Sequence, residues 1–214
     1  TISIYMTLAT ILISCSSTQE KFGDPYQNGQ VSSKYTVTSD GLKNGPYVTY
    51  YENGQKRSEG NYEGDKQIGS WITWHDNGNK SSEGYFQNGL QTGEWKFYYA
   101  DGKLQQINHF KNDKSEGNFI DFDKNGIKRR EGVSVNGLLN GKSIEYFPDG
   151  KVSSELTYVN HRPTGPFIEY YPDGKLRAKG TWRDSALVGE YFVFDSLDNS
   201  SYVKQFVLAD GTPS

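Results

Sequence analysis

From residue 45 onward, short runs of aromatic and β-branched residues alternate with polar turns, and the alternation keeps a fixed period. Glycines stand at 45, 69, 93, 117, 141, 165 and 189, each 24 residues from the next. Nine residues on lie Gly54, Gly78, Gly102, Gly126, Gly150 and Gly174, every one preceded by Asn or Asp. Between the two glycines run segments such as Tyr47-Val48-Thr49-Tyr50-Tyr51, Trp71-Ile72-Thr73-Trp74 and Trp95-Lys96-Phe97-Tyr98-Tyr99. They are too short for helices and have the composition of strands. Asn-Gly and Asp-Gly signal hairpin turns, because positive φ is tolerated there. A second strand follows each turn and ends near an aromatic (Tyr62, Phe86, Phe110, Tyr158, Trp182, with Ser134 the exception). Another turn comes next, as in Asn88-Gly89 and Asn136-Gly137. The pattern predicts seven stacked β-hairpins.

Counting each repeat from its first glycine as position 1, a symmetric turn centred on the Asn/Asp-Gly pair sets position 3 opposite position 16. This places an aromatic over a glycine in Tyr47/Gly60, Trp71/Gly84, Phe119/Gly132 and Phe167/Gly180. In the fifth repeat the same pair reads Ser143/Leu156, so the volume has moved across the hairpin; Trp95 opposite Asn108 has no such explanation. Position 4 then faces position 15, giving Val48/Glu59, Ile72/Glu83, Ile120/Glu131 and Ile144/Glu155, with Lys96/Ile107 the same pairing reversed. Position 6 carries a second aromatic series: Tyr50, Trp74, Tyr98, Phe122, Tyr146, Tyr170 and Phe194. The same register sets Tyr50 against Arg57, Phe122 against Arg129 and Tyr170 against Arg177, an expected cation–π arrangement. The stripe formed by Tyr50, Arg57, Trp74, Tyr98, Phe122, Arg129, Tyr146, Tyr170 and Arg177 is the candidate ligand-binding surface, suited to a protein or an extended polymer.

Aromatics on both faces argue against a sandwich, which would leave one face polar. The expected fold is all-β: an elongated single-layer antiparallel sheet of stacked β-hairpins in 24-residue repeats, roughly 65 Å long at ~4.8 Å per strand. Composition agrees. The 214 residues include 24 Gly, 16 Tyr, 11 Phe and 4 Trp, too aromatic for disorder and too poor in helix formers for a bundle. Lys and Arg number 23 against 26 Asp and Glu, a net charge of −3 with no basic run, so no nucleic-acid partner is expected.

Residues 1–14 are uncharged and largely apolar from Ile2 to Ile13, too short to span a membrane as a mature helix. They read as the apolar region of a secretory signal peptide. The segment begins at Thr1 with neither initiator Met nor basic flank, and we read it as truncated. Leu12-Ile13-Ser14-Cys15 resembles the bacterial lipobox, in which the cysteine is lipidated and becomes the mature N-terminus. Cys15 is the sole cysteine and precedes a polar stretch, so no disulfide competes for it. The expected organisation is a signal peptide at 1–14, a lipidated polar tether at 15–26, the repeat array at 27–194, and a capping strand with tail at 195–214. The expected location is the bacterial cell envelope, membrane-anchored through lipid at the outer membrane.

Gly-x-aromatic-x-x-aromatic, then Asn/Asp-Gly and a second strand, resembles the MORN-repeat variant of many bacterial proteins, including those called YwqK-type antitoxin-like. The likeness covers approximately residues 27–194. It implies stacked hairpins and a binding or scaffolding role, and it carries no catalytic residues. It also implies an alternative function, neutralisation of a toxin or effector, which conflicts with export.

Asp121-Phe122-Asp123-Lys124-Asn125-Gly126 reads like the opening of an EF-hand loop, whose twelfth position should be a bidentate Glu and here is Gly132. His75, His109 and His161 occupy three different repeat positions, so no metal spacing emerges. No nucleophile elbow or phosphate-cradling loop is present. The expectation is a non-enzymatic protein without cofactor or metal: a β-repeat binding or scaffold lipoprotein.

Overall fold

The computed structural model describes residues 18–194 and, as backbone, the strand 201–206. Residues 1–17 lie outside the described residues, as do 195–200 and 207–214, so Cys15, the signal segment and much of the C-terminal tail belong to that group. Every described strand joins one antiparallel sheet. Gln19–Phe22 pairs with Ser33–Val37, which pairs with Lys43–Tyr50. From there each strand pairs with the next in sequence through Lys56–Glu63, Lys66–Trp74, Lys80–Gln87, Leu90–Tyr98 and Leu104–Lys111. The sheet continues through Gly117–Phe122, Lys128–Val135, Gly141–Tyr146, Val152–Val159, Gly165–Tyr170, Leu176–Arg183 and Ala186–Phe194. It ends on Ser201–Phe206. The sheet therefore begins earlier than residue 27: Gln19–Phe22, expected in the tether, is its first strand.

Across each hairpin the expected register holds at positions 3 and 4, as in Tyr47↔Gly60, Val48↔Glu59, Trp71↔Gly84 and Ser143↔Leu156. It breaks nearer the turn. Gly54 N–H donates to Tyr51 O (2.9 Å) and Tyr51 N–H to Gln55 O (2.8 Å), with Gly54 at φ 82° and Asn53 outside the positive-φ set. This is a longer turn closed by a left-handed glycine and a bulge, not a symmetric two-residue turn. Asn53 serves another purpose: its Oδ1 accepts from Gln55 N–H (3.0 Å), and its amide donates to Asp76 O of the next repeat (2.8 Å). The tight turns, with both central residues at positive φ, are the other set, such as Asn88-Gly89, Asn160-His161 and Asp184-Ser185.

One face, the ring face, is the core. Trp71, Trp95, Phe119 and Phe167 at position 3 are only 4–5% exposed. The rings of Tyr47, Trp71 and Trp95 join those of position 18 in a continuous series, Tyr47–Tyr62–Trp71–Phe86–Trp95–Phe110, at centroid distances of 5.0–6.3 Å and edge to face throughout. Between repeats, Glu59↔Ile72 and Asn61↔Ile68 are paired, so Gly69, Ser70 and Trp71 together oppose Gly60. Each position-3 ring therefore lies between two candidate seats, the position-16 glycine of its own repeat and that of the repeat before.

The tryptophans lean back. A Cβ on Gly60 would overlap the ring of Trp71, and one on Gly84 the ring of Trp95. The phenylalanines sit on their own repeat, where a Cβ on Gly132 would approach Phe119 to 2.9 Å and one on Gly180 would approach Phe167 to 2.8 Å. The expected pairing of Trp71 with Gly84 is thus right as backbone register and wrong as ring contact. The reversal explains Trp95 opposite Asn108: Asn108 offers no seat, so Trp95 leans back onto Gly84 and Phe119 leans forward onto Gly132. Leu156 removes the next seat, and Phe167 again leans forward. Ser143 stands where Gly132 is already covered, its hydroxyl donating to Glu131 O (3.2 Å).

Candidate functional site

The opposite face carries position 6. Because the turn is bulged, pairing shifts from Thr49↔Ser58 to Tyr50↔Lys56, and Arg57 drops out of the ladder. The same shift pairs Phe122 with Lys128 and Tyr170 with Leu176. The expected facing pairs Tyr50/Arg57, Phe122/Arg129 and Tyr170/Arg177 are therefore not formed. All three arginines emerge at bulges along the turn margin and are exposed. The Arg57 guanidinium lies over Tyr51 (5.8 Å), and Arg177 meets Glu169 (3.6 Å).

Lysine takes the place intended for arginine, and it reaches the next repeat. Lys56 lies over Trp74 (5.6 Å) and Lys128 over Tyr146 (5.4 Å). In a regular strand, residues three apart point to opposite faces. The bulge between positions 12 and 15 puts both on one face, so Lys56 pairs with Glu59 (2.5 Å), Lys80 with Glu83 (2.7 Å) and Lys128 with Glu131 (2.8 Å). Tyr98 donates its hydroxyl to Glu83, and Tyr146 donates to Glu131. The hydrogen bond from Lys80, then that from Tyr98, holds Glu83 below the usual carboxylate range; Lys128 and Tyr146 do the same to Glu131. Burial, then the bond to the carboxylate, pushes Tyr98 and Tyr146 up to about 12. This lysine face thus repeats one unit: a half-buried ring, a cation and a carboxylate. The sequence signal overlooked was Lys-x-x-Glu at 56–59, 80–83 and 128–131.

Position 7 ties successive turns together. Tyr51 donates to Trp74 O (2.7 Å), Tyr99 to Phe122 O (2.8 Å) and Tyr171 to Phe194 O (3.0 Å). His75 occupies the same rung, its Nε2 at 3.0 Å from Tyr98 O. His109 meets Asn118 O through Nδ1 (2.8 Å), and His161 sits in a tight turn at φ 67°. In the EF-hand-like stretch, Asp123 Oδ1 accepts from Asn125 and Ile127 N–H (2.8 and 2.9 Å), and the Ile127 bond leads in lowering its pKa. Asp121 accepts from Arg130 (Nη2, 2.8 Å) and Gln106 (2.7 Å). The two carboxylates are used by the fold. Among the described residues no group of His, Cys, Asp and Glu is placed to hold a metal.

The fourth repeat departs from the others at the turn margin. Arg129 has Asp123 at position 7 of its own repeat, where Arg57 has the ring of Tyr51. Two clefts are both lined by Arg129. One, of about 270 Å³, has Phe97, Tyr99 and Phe122 as walls with Gln105, Gln106 and Asp121; the other, of about 210 Å³, has Tyr146 and Phe147 as walls with Asp123 and Lys128.

No curated protein matches the chain. Among solved structures, a chain in the crystal structure of TcdB2-TccC3-Cdc42 matches over 84% of this chain, at 12% identity and a TM-score of 0.20; this chain spans 13% of that one. A Bacteroides fragilis protein of unknown function matches over 88% of this chain and 90% of its own, at 8% identity and a TM-score of 0.12. The MORN repeat variant family matches residues 43–63, 67–88, 91–112, 139–160 and 163–184, each match covering one long turn with its flanking strands. Five in-phase matches over half the sequence, on a sheet of consecutive hairpins, show that the chain belongs to the MORN repeat variant family.

Proposed function

We propose that the protein is a non-enzymatic lipoprotein of the bacterial envelope, anchored through Cys15, whose array is a binding or scaffold surface for an extended partner. MORN repeats are generally binding or scaffold repeats. The observation that carries the reading is the recurrence of the ring, lysine and carboxylate unit on the lysine face. A partner spanning several repeats meets similar chemistry at each, and weak contacts add through effective concentration. A unique reaction centre would instead need one set of groups set apart from the rest.

Pull-down from native envelope followed by mass spectrometry tests the reading. Against the captured partner, Tyr50→Ala, Tyr98→Ala or Tyr170→Ala should each weaken binding a few-fold, and removal of a whole repeat should weaken it more. A turnover activity abolished by one carboxylate or histidine substitution would overturn the proposal. Capture of a toxin as the principal partner would move the function to neutralisation.

A further inference from the structure

We propose that the turn margin around Arg129 binds the carboxylate-bearing sugar units of an acidic glycan. This rests on reading the array as a binding surface and names the ligand of one part of it. Of the three candidate-site arginines, all exposed, Arg57 has a ring beside it and Arg177 a carboxylate. Arg129 has neither: position 7 of its repeat is Asp123 instead of a ring, and Asp121, which stands where Glu169 meets Arg177, is engaged by Arg130 and Gln106. An exposed guanidinium without an ion pair among the described residues is a two-pronged receptor for a carboxylate.

Its surroundings select the kind of carboxylate. Aromatic walls in both clefts suit the flat, C–H-rich side of a pyranose ring. In the larger cleft Gln106 spends one amide hydrogen on Asp121, and Gln105 lies beside it; amides and carboxylates have spare donor and acceptor capacity for sugar hydroxyls. A cation shared by two ring-walled clefts matches a stiff chain with one charge per unit. An extended peptide is the weaker fit, since such peptides add to an open sheet edge. Here Leu104–Lys111, Gly117–Phe122, Lys128–Val135 and Gly141–Tyr146 are each paired with a neighbour on both sides.

The test is isothermal titration of the full chain with oligogalacturonate, with its fully methyl-esterified form and with oligoglutamate. Oligogalacturonate should bind, more weakly as salt rises, and the esterified form should lose at least about tenfold in affinity. Arg129→Ala should lose a similar factor, Arg129→Lys should recover part of it, and Arg57→Ala should change little. An unchanged melting temperature of Arg129→Ala excludes misfolding as the cause. Equal binding of the esterified chain, equal binding by Arg129→Ala, or no binding of oligogalacturonate would overturn the inference. Oligoglutamate bound as tightly, with the same dependence on Arg129, would overturn the choice of a sugar. A partner captured by the pull-down whose binding survives Arg129→Ala would leave the binding-surface reading standing and refute only this one.

Discussion

Gly84 shows how a single position can be constrained by a residue that does not face it in the hairpin. Its register partner is Trp71, but the ring over it is that of Trp95. Gly84→Val should therefore cost about 1–3 kcal/mol by overpacking. In urea unfolding, combination with Trp95→Ser should be markedly non-additive, with a coupling of about 0.5–3 kcal/mol. Combination with Trp71→Ser should be closer to additive. Equal coupling to both tryptophans would refute the backward lean. The aromatic-over-glycine idea was legible because repeats 1, 2, 4 and 6 show it in sequence. The direction of lean was not, since a list of facing residues within a hairpin describes Cα positions, and the ring of Trp95 leans onto the neighbouring strand of the preceding repeat. Trp95 against Asn108 was the visible clue.

At the scale of the hairpin, sequence placed the turns and misjudged their geometry. Asn-Gly was read as a symmetric turn, yet the glycine alone takes positive φ and the asparagine caps the turn with its side chain. One residue of bulge follows, and it moves every arginine of the proposed stripe out of the ladder while putting Lys and Glu on one face. The resulting tie between repeats has a pH signature. Glu83 and Glu131 are depressed, so their stabilisation is present above the ordinary glutamate pKa and is lost as pH falls through the lower folded value. Tyr98 and Tyr146 are raised, so theirs is present below pH ~10 and disappears as pH climbs toward about 12. Melting temperatures should decline at both extremes, and Tyr98→Phe with Tyr146→Phe should flatten the alkaline limb. An alkaline limb unchanged by these substitutions would count against the tie. The tight turns give a second expectation. His161 and Ser185 stand at φ 67° and 71° where Asn88-Gly89 and Asn136-Gly137 use glycine. His161→Gly and Ser185→Gly should each stabilise by up to ~1 kcal/mol in thermal unfolding.

Across the whole molecule, contacts run mainly between adjacent strands, so stability should follow the sum of repeats and their interfaces. Repeats are nonetheless not interchangeable. Deleting residues 67–90 removes Trp71 together with Gly84 and lets Trp95 settle on Gly60. Deleting 115–138 removes Phe119 with Gly132 and brings Ser143 beside Asn108, a step with no ring. Thermal unfolding should show the second deletion to be clearly more damaging, and equal losses would refute the account. The period of the array and its all-β class were legible in the glycine spacing. The cleft at Arg129 was not, because it depends on what position 7 lacks in one repeat, and a search for recurrence passes over a single exception. The reversal of lean at Asn108 acts like a domain wall in an ordered chain of spins: rings on one side point one way, and those on the other point back. A wall persists where something pins it, and here the pin is one side chain without a seat to offer. Asn108→Gly would release it, giving Phe119 a second resting place and the wall freedom to wander. The middle of the sheet would then hold two ring arrangements in exchange, visible as doubled or broadened resonances from Trp95 and Phe119.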